Sequence, residues 1–164
     1  MNLKALWGNP FKKVSTDIKD ELAFLSSIPV FDSLSKRQIR KIYSVVHHRN
    51  FEKGEVVFRK GDPGVGLYLI RDGAVEIYNE FPDMTRILLA NLHSGDFFGE
   101  ISLLNDSPRS ATVVAVRTTV LLGLFRHDLL DLMDSDPALG VKLVYRLSQI
   151  VAERLRILNE PPEA

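Results

Sequence analysis

Residues 67–78 read LYLIRDGAVEIY, two short apolar and aromatic runs punctuated by Asp72-Gly73. Asp-Gly between alternating runs predicts a two-residue β-hairpin, whose turn positions call for positive φ. The same texture extends in both directions. Short β-like runs occupy Val56–Phe58, Leu67–Ile70, Ala74–Tyr78, Arg86–Ala90, Ala111–Val116 and Thr119–Phe125. Lys53-Gly54, Lys60-Gly61-Asp62-Pro63-Gly64, Pro82-Asp83 and Ser94-Gly95-Asp96 supply turn signals between them. Many short strands at this spacing predict a mainly β fold, a sandwich or jelly-roll barrel, rather than a βαβ sheet.

Helical patterns flank this region. Ile18, Leu22 and Leu25 recur at helical spacing until Pro29, and Ser35 with Gln38 forms a capping-box pattern before Ile39, Ile42, Tyr43 and Val46. After Phe125 the helical period returns, with Asp136 as N-cap and Pro137 in the first turn. A long C-terminal helix follows, striped by Leu139, Leu143, Val144, Leu147, Ile150, Val151, Leu155 and Leu158. The steps of four and three from Leu143 to Leu147 to Ile150 suggest a short coiled-coil seam for a homodimer, leaving Val144, Val151 and Leu155 to face the barrel. Residues 1–16 carry Leu3, Leu6, Trp7 and Phe11 without a long period, an arm that packs back on the domain or docks elsewhere. The expected organisation is an arm and helix over 1–24, one domain over 25–158 and a tail over 159–164.

Composition narrows the function classes. A chain of 164 residues suits one core, and 45% apolar with 26% charged residues is globular rather than disordered. The 21 basic residues balance 21 acidic ones, which argues against a broad basic face for nucleic acid. The absence of Cys excludes disulfides, Cys-based zinc sites and thiol catalysis. The longest apolar stretch, Thr112 to Phe125, is interrupted by Arg117 and is strand-like, and no signal peptide is visible. A cytoplasmic protein without a transmembrane segment is expected.

The chemistry concentrates in Phe98–Thr112, FGEISLLNDSPRSAT. Gly99 after two aromatics permits a sharp turn, and Ile101-Ser102-Leu103-Leu104 reads as a one-turn helix whose free N–H groups favour an anion. Arg109, stiffened by Pro108, offers a bidentate fork suited to phosphate. Glu100 is an acceptor suited to a ribose hydroxyl. Together these describe a sugar-phosphate site; the simpler alternative is an Arg109–Glu100 salt bridge that closes a loop.

This segment closely resembles the phosphate-binding cassette of cyclic nucleotide-binding domains, the family of the catabolite activator protein and the protein kinase A regulatory subunit. Phe98, Gly99, Glu100, Ile101, Ser102, Leu103, Leu104, Arg109, Ser110, Ala111 and Thr112 fit its pattern, with nine residues from Glu to Arg. The likeness extends over about residues 25–158, including Glu52-Lys53-Gly54-Glu55 and the Gly61-Asp62-Pro63-Gly64 turn. It implies a jelly roll in which Glu100 takes the ribose 2′-hydroxyl and Arg109 the cyclic phosphate, helped by N–H groups at Ser102 and Ser110, beside Ala111. The implied ligand is cAMP rather than cGMP, with no further cofactor; Ser110 beside the phosphate keeps a syn guanine in play.

Two departures stand out. The alignment places Ile150-Val151 where the catabolite activator has a base-reading Thr-Ser pair. Ile150, Val151 or Leu155 is then expected to cap the base, or Arg154 to stack on it. Val65-Gly66 also lacks the usual polar residue after Gly64. The expected function is a non-enzymatic sensor in which ligand moves the C-terminal helix and signals to a partner protein or homodimer. The alternatives are an assembly module that keeps the fold without signalling and, more distantly, a cupin-like metalloenzyme. A cupin needs clustered ligands such as His-x-His, which the chain lacks. Adjacent His47 and His48 diverge, while His93 and His127 stand alone in the sequence. With about six residues after Leu158 in the sequence given, no DNA-reading helix is expected there.

Overall fold

A computed structural model describes residues 17–159; the arm over 1–16 and the last five positions lie outside the described residues. Helix α1 (Ile18–Ser27) is capped by Asp17 and yields to a 3-10 turn at Pro29–Phe31. Helix α2 (Lys36–Val45) begins with the expected capping box: the Ser35 hydroxyl accepts from Gln38 N–H, and the Gln38 side chain accepts from Ser35 N–H. Eight strands follow: β1 (His47–Phe51), β2 (Val56–Phe58), β3 (Gly66–Asp72), β4 (Ala74–Glu80), β5 (Arg86–His93), β6 (Phe97–Phe98), β7 (Thr112–Ala115) and β8 (Thr119–Phe125). The one-turn helix α3 (Ile101–Leu104) separates β6 from β7, and α4 (Arg126–Ser135) and α5 (Pro137–Leu158) close the described chain.

The strands pair antiparallel into two four-stranded sheets, ordered β1-β8-β3-β6 and β2-β7-β4-β5, a jelly-roll arrangement. The first sheet is covered on both faces, which explains why β3 and β8 are so apolar. Leu67, Leu69, Leu122 and Leu124 pack against Leu25, Ile42, Leu129 and Leu139 from the helices. Their alternating neighbours Ile70 and Leu121 turn to the barrel interior with Val75, Phe98 and Val113.

The expected Asp72-Gly73 hairpin is corrected by the structure. Strands β3 and β4 belong to different sheets, so these residues form a corner. Gly73 has φ 104°, and a Cβ there would overlap Thr119 Oγ1. Thr119 Oγ1 accepts from Ala74 N–H and Arg117 donates to Gly73 O at 3.0 Å, fixing the corner from below. The hairpin is one strand later. Strands β4 and β5 pair through a turn closed by Phe81 N–H to Thr85 O, with Met84 at φ 67°.

The coiled-coil seam is also corrected. Leu143 and Leu147 are fully buried in the core, and Ile150 packs against the same cluster. The exposed apolar positions of α5 include Val141, Tyr145 and Leu155 instead. Among the described residues no helix is long and apolar enough to cross a membrane.

Candidate functional site

Strand β6 pairs with β3 and delivers the chain to Gly99, whose φ of 81° turns it into α3. A Cβ at Gly99 would sit 2.6 Å from Arg109 Nη1 and 2.9 Å from Gly66 O, so this position needs both the conformation and the missing side chain. Gly64 serves a second close approach, since a Cβ there would overlap Ser102 Oγ and Ser107 O. The loop through Gly61-Asp62 then grips the backbone of Arg109. Gly61 N–H donates to Arg109 O and Arg109 N–H donates to Asp62 O, each at 2.8 Å.

These contacts bury Arg109 to 4% exposure. Its Nη1 donates to Gly66 O at 2.8 Å, and its Cζ lies 4.0 Å from the centre of the Phe58 ring. Burial pushes the guanidinium pKa down, partly opposed by Tyr68, Asp62 and Glu100. Its Nε–H is buried and lacks a hydrogen-bond partner. A buried donor without a partner is costly in a fold.

Glu100 is the N-cap residue of α3 and is 7% exposed. Its ion-pair partner is not Arg109. Arg154 Nη1 donates to Glu100 Oε1 at 2.6 Å, Arg154 Nη2 donates to Phe97 O at 3.3 Å, and the guanidinium lies 4.8 Å from the Phe97 ring centre. The loop-closing salt bridge between Arg109 and Glu100 is therefore replaced by a tie between the cassette and α5.

Between the cassette, the barrel and the end of α5 lies a cavity of about 420 Å³, within the range of small-molecule sites. Phe98, Gly99, Glu100, Ile101, Ser102 and Arg109 line it, as do Ser110, Ala111 and Arg154. Ile150 is not brought there; it faces the helix core, and Arg154 stacks on Phe97 rather than standing free for a base. The apolar groups that α5 presents to the cavity are Ile157 and Leu158, about two turns further on. Sequence reading missed these two, together with the β-wall of Phe58, Ile77, Ala90, Leu92 and Val113. The strand alternation carried a signal for Ile77 and Val113, which are cross-strand partners.

A buried guanidinium and a buried carboxylate thus line one pocket of the jelly roll. The family model for the cyclic nucleotide-binding domain matches residues 48–136, and the chain belongs to that family. It is 36% identical over 128 residues to the cyclic AMP receptor protein of Thermus thermophilus, covering 78% of this chain and 57% of that protein. Among solved structures, a cyclic nucleotide-binding domain from Methylobacillus flagellatus superposes with a TM-score of 0.73 at 30% identity, covering 84% of this chain and 78% of that one. The regulatory domain of Toxoplasma gondii PKA, solved with cAMP, superposes with a TM-score of 0.67 at 26% identity, over 80% of this chain and 49% of that one. The chain spans less than two thirds of the length of its first curated relatives, 31% of one and 57% of the next.

Proposed function

We propose that this chain is a cAMP-responsive regulatory module. The observation that carries the reading is buried Arg109 beside buried Glu100, in a cavity whose wall is largely apolar. Arg109 takes the cyclic phosphate and Glu100 accepts from the ribose 2′-hydroxyl. The base lies against the strand wall and Ile157 and Leu158. The proposed role is binding rather than bond breaking. Ser110 lines the cavity and its hydroxyl keeps cGMP as the weaker second ligand.

The output passes through α5, because that helix meets the cassette at Arg154 and the cavity at its last turn. Ligand favours whichever α5 position closes the cavity around it, and differential affinity for two positions is the whole of the signal. A second copy of the chain is the receiver that the exposed face of α5 fits. Val141, Tyr145, Ser148, Ala152 and Leu155 are exposed and recur in alternating steps of four and three. Calorimetry with cAMP and cGMP tests the ligand assignment: saturable one-to-one binding, tighter for cAMP, is expected. Failure of both nucleotides to bind the folded chain overturns it in favour of a non-signalling assembly module.

A further inference from the structure

Two histidines that stand 80 positions apart in the sequence, His47 and His127, meet at one carboxylate on the surface. His47 opens β1 opposite Gly123 of β8, whose missing side chain makes room for the Phe125 ring. The imidazole stacks on Phe125 at 5.0 Å, and His127, two residues past Phe125 in the first turn of α4, stacks on the same ring at 6.0 Å. Asp128 lies between them. His47 Nε2 is 3.2 Å from Asp128 Oδ2, and His127 Nε2 is 3.2 Å from Asp128 Oδ1. One ligand atom from each residue falls within 4.8 Å of the others. The adjacent cation Arg126 is paired with Asp106 at 2.7 Å.

We propose that His47, His127 and Asp128 bind a divalent transition-metal ion, with zinc the best match. Two imidazoles and one carboxylate form a three-ligand donor set that zinc accepts, the fourth position going to water. At zinc's bond lengths the ligand atoms sit roughly 3.3 Å apart, so small rotamer adjustments close the set. The side chains of His47 and His127 are 44% and 71% exposed, while that of Asp128 is 14% exposed. Calcium and magnesium are disfavoured because two of the three donors are nitrogen. The site joins the start of β1 to the start of α4, so the bound ion clamps the frame on which α5 rests. It lies on the surface, outside the nucleotide cavity, and does not depend on that reading.

The test uses tag-free, chelator-treated chain titrated with Zn2+ by calorimetry and with Co2+ by visible absorption. One ion per chain is expected, with a cobalt spectrum of low coordination number and a Zn2+-dependent rise in Tm. His47→Ala, His127→Ala and Asp128→Asn each weaken binding by more than about tenfold, because loss of even a supporting group costs about 10- to 100-fold at such sites. His48→Ala, which removes only the pair to Glu21, and His93→Ala leave it unchanged. No saturable binding by the wild-type chain, or equal binding by the folded His127→Ala variant, overturns the proposal.

Discussion

Replacing Arg109 by alanine separates a ligand-binding arginine from one that merely holds the loop. The side chain makes a 2.8 Å bond to Gly66 O and stacks on Phe58, so its loss deprives the fold of a buried hydrogen bond and a ring contact. The stranded Gly66 carbonyl costs about 1–3 kcal/mol, partly offset because a desolvated charge is no longer buried. Ligand binding loses more. Truncating one partner of a buried charged pair costs about 2–5 kcal/mol, which is roughly thirtyfold to several-thousandfold in Kd. Calorimetry with cAMP on a variant shown by its melting curve to be folded reads this directly. Arg109→Lys is the informative companion. It retains a positive charge but not the planar fork, so its Kd should fall between those of the wild type and the alanine variant. A folded Arg109→Ala chain that binds cAMP as tightly as the wild type refutes the assignment of the phosphate to this residue.

Glu100→Gln should weaken cAMP binding, with the loss largely absent for 2′-deoxy-cAMP; equal losses would mean that Glu100 only orders α3. Gly99→Ala should destabilise the fold by about 1–3 kcal/mol through its positive φ and displace Arg109 Nη1, so both Tm and cAMP affinity fall together. Asp136 is held below the usual carboxylate range by its bond to Lys41 and by capping Leu139 N–H, so its contribution is present above that range and lost as pH falls through its folded pKa. Asp136→Asn should therefore flatten the decline of Tm in acid, and an unchanged acid profile would count against the pair. Tyr145→Glu places a charge in the exposed face of α5 and should reduce any self-association seen by sedimentation, whereas a variant that associates as strongly as the wild type excludes that face as the contact.

Local chemistry was legible where it is local. The Ser35 capping box, the Asp136 cap, α3 and the boundaries of β2 and β8 depend on neighbours a few residues apart, and the structure has them as the sequence reads. The cassette residues converge because their spacing is fixed by one turn and one short helix. What failed was long-range. Asp72-Gly73 suits a hairpin, but Thr119 beneath Gly73 decides that the chain changes sheets there. Strand β1 reads HHRNF and carries no apolar alternation, because it is an edge strand defined by pairing with β8. On α5 the apolar stripe is nearly continuous, so the period alone could not say which side meets the core. Leu143 and Leu147 went inward, and the cavity fell to Ile157 and Leu158.

For the proposed function, that division along α5 is the feature through which the pocket would act on the helix. Leu139, Leu143 and Leu147 are fully buried, each stabilising the first half of the helix by about 2–3 kcal/mol. Beyond Val151 the residues are exposed, and their attachments include the Arg154 contacts to Glu100 and Phe97 and the cavity-facing Ile157 and Leu158. With the Arg154 side chain 43% exposed, its ion pair contributes on the order of 1 kcal/mol at most. The first half is thus anchored in the core, and the second is the half that the proposed ligand would touch. In the proposed binding mode, ribose at Glu100 acts on the Arg154 contact, and a base between the strand wall and Leu158 adds apolar burial. Both act on that second half. Arg154→Ala should accordingly leave the melting temperature nearly unchanged, while nucleotide no longer alters hydrogen exchange across residues 152–158 as it does in the wild type. If exchange there responds to cAMP equally in both chains, the coupling runs through the apolar contacts and Arg154 is a bystander.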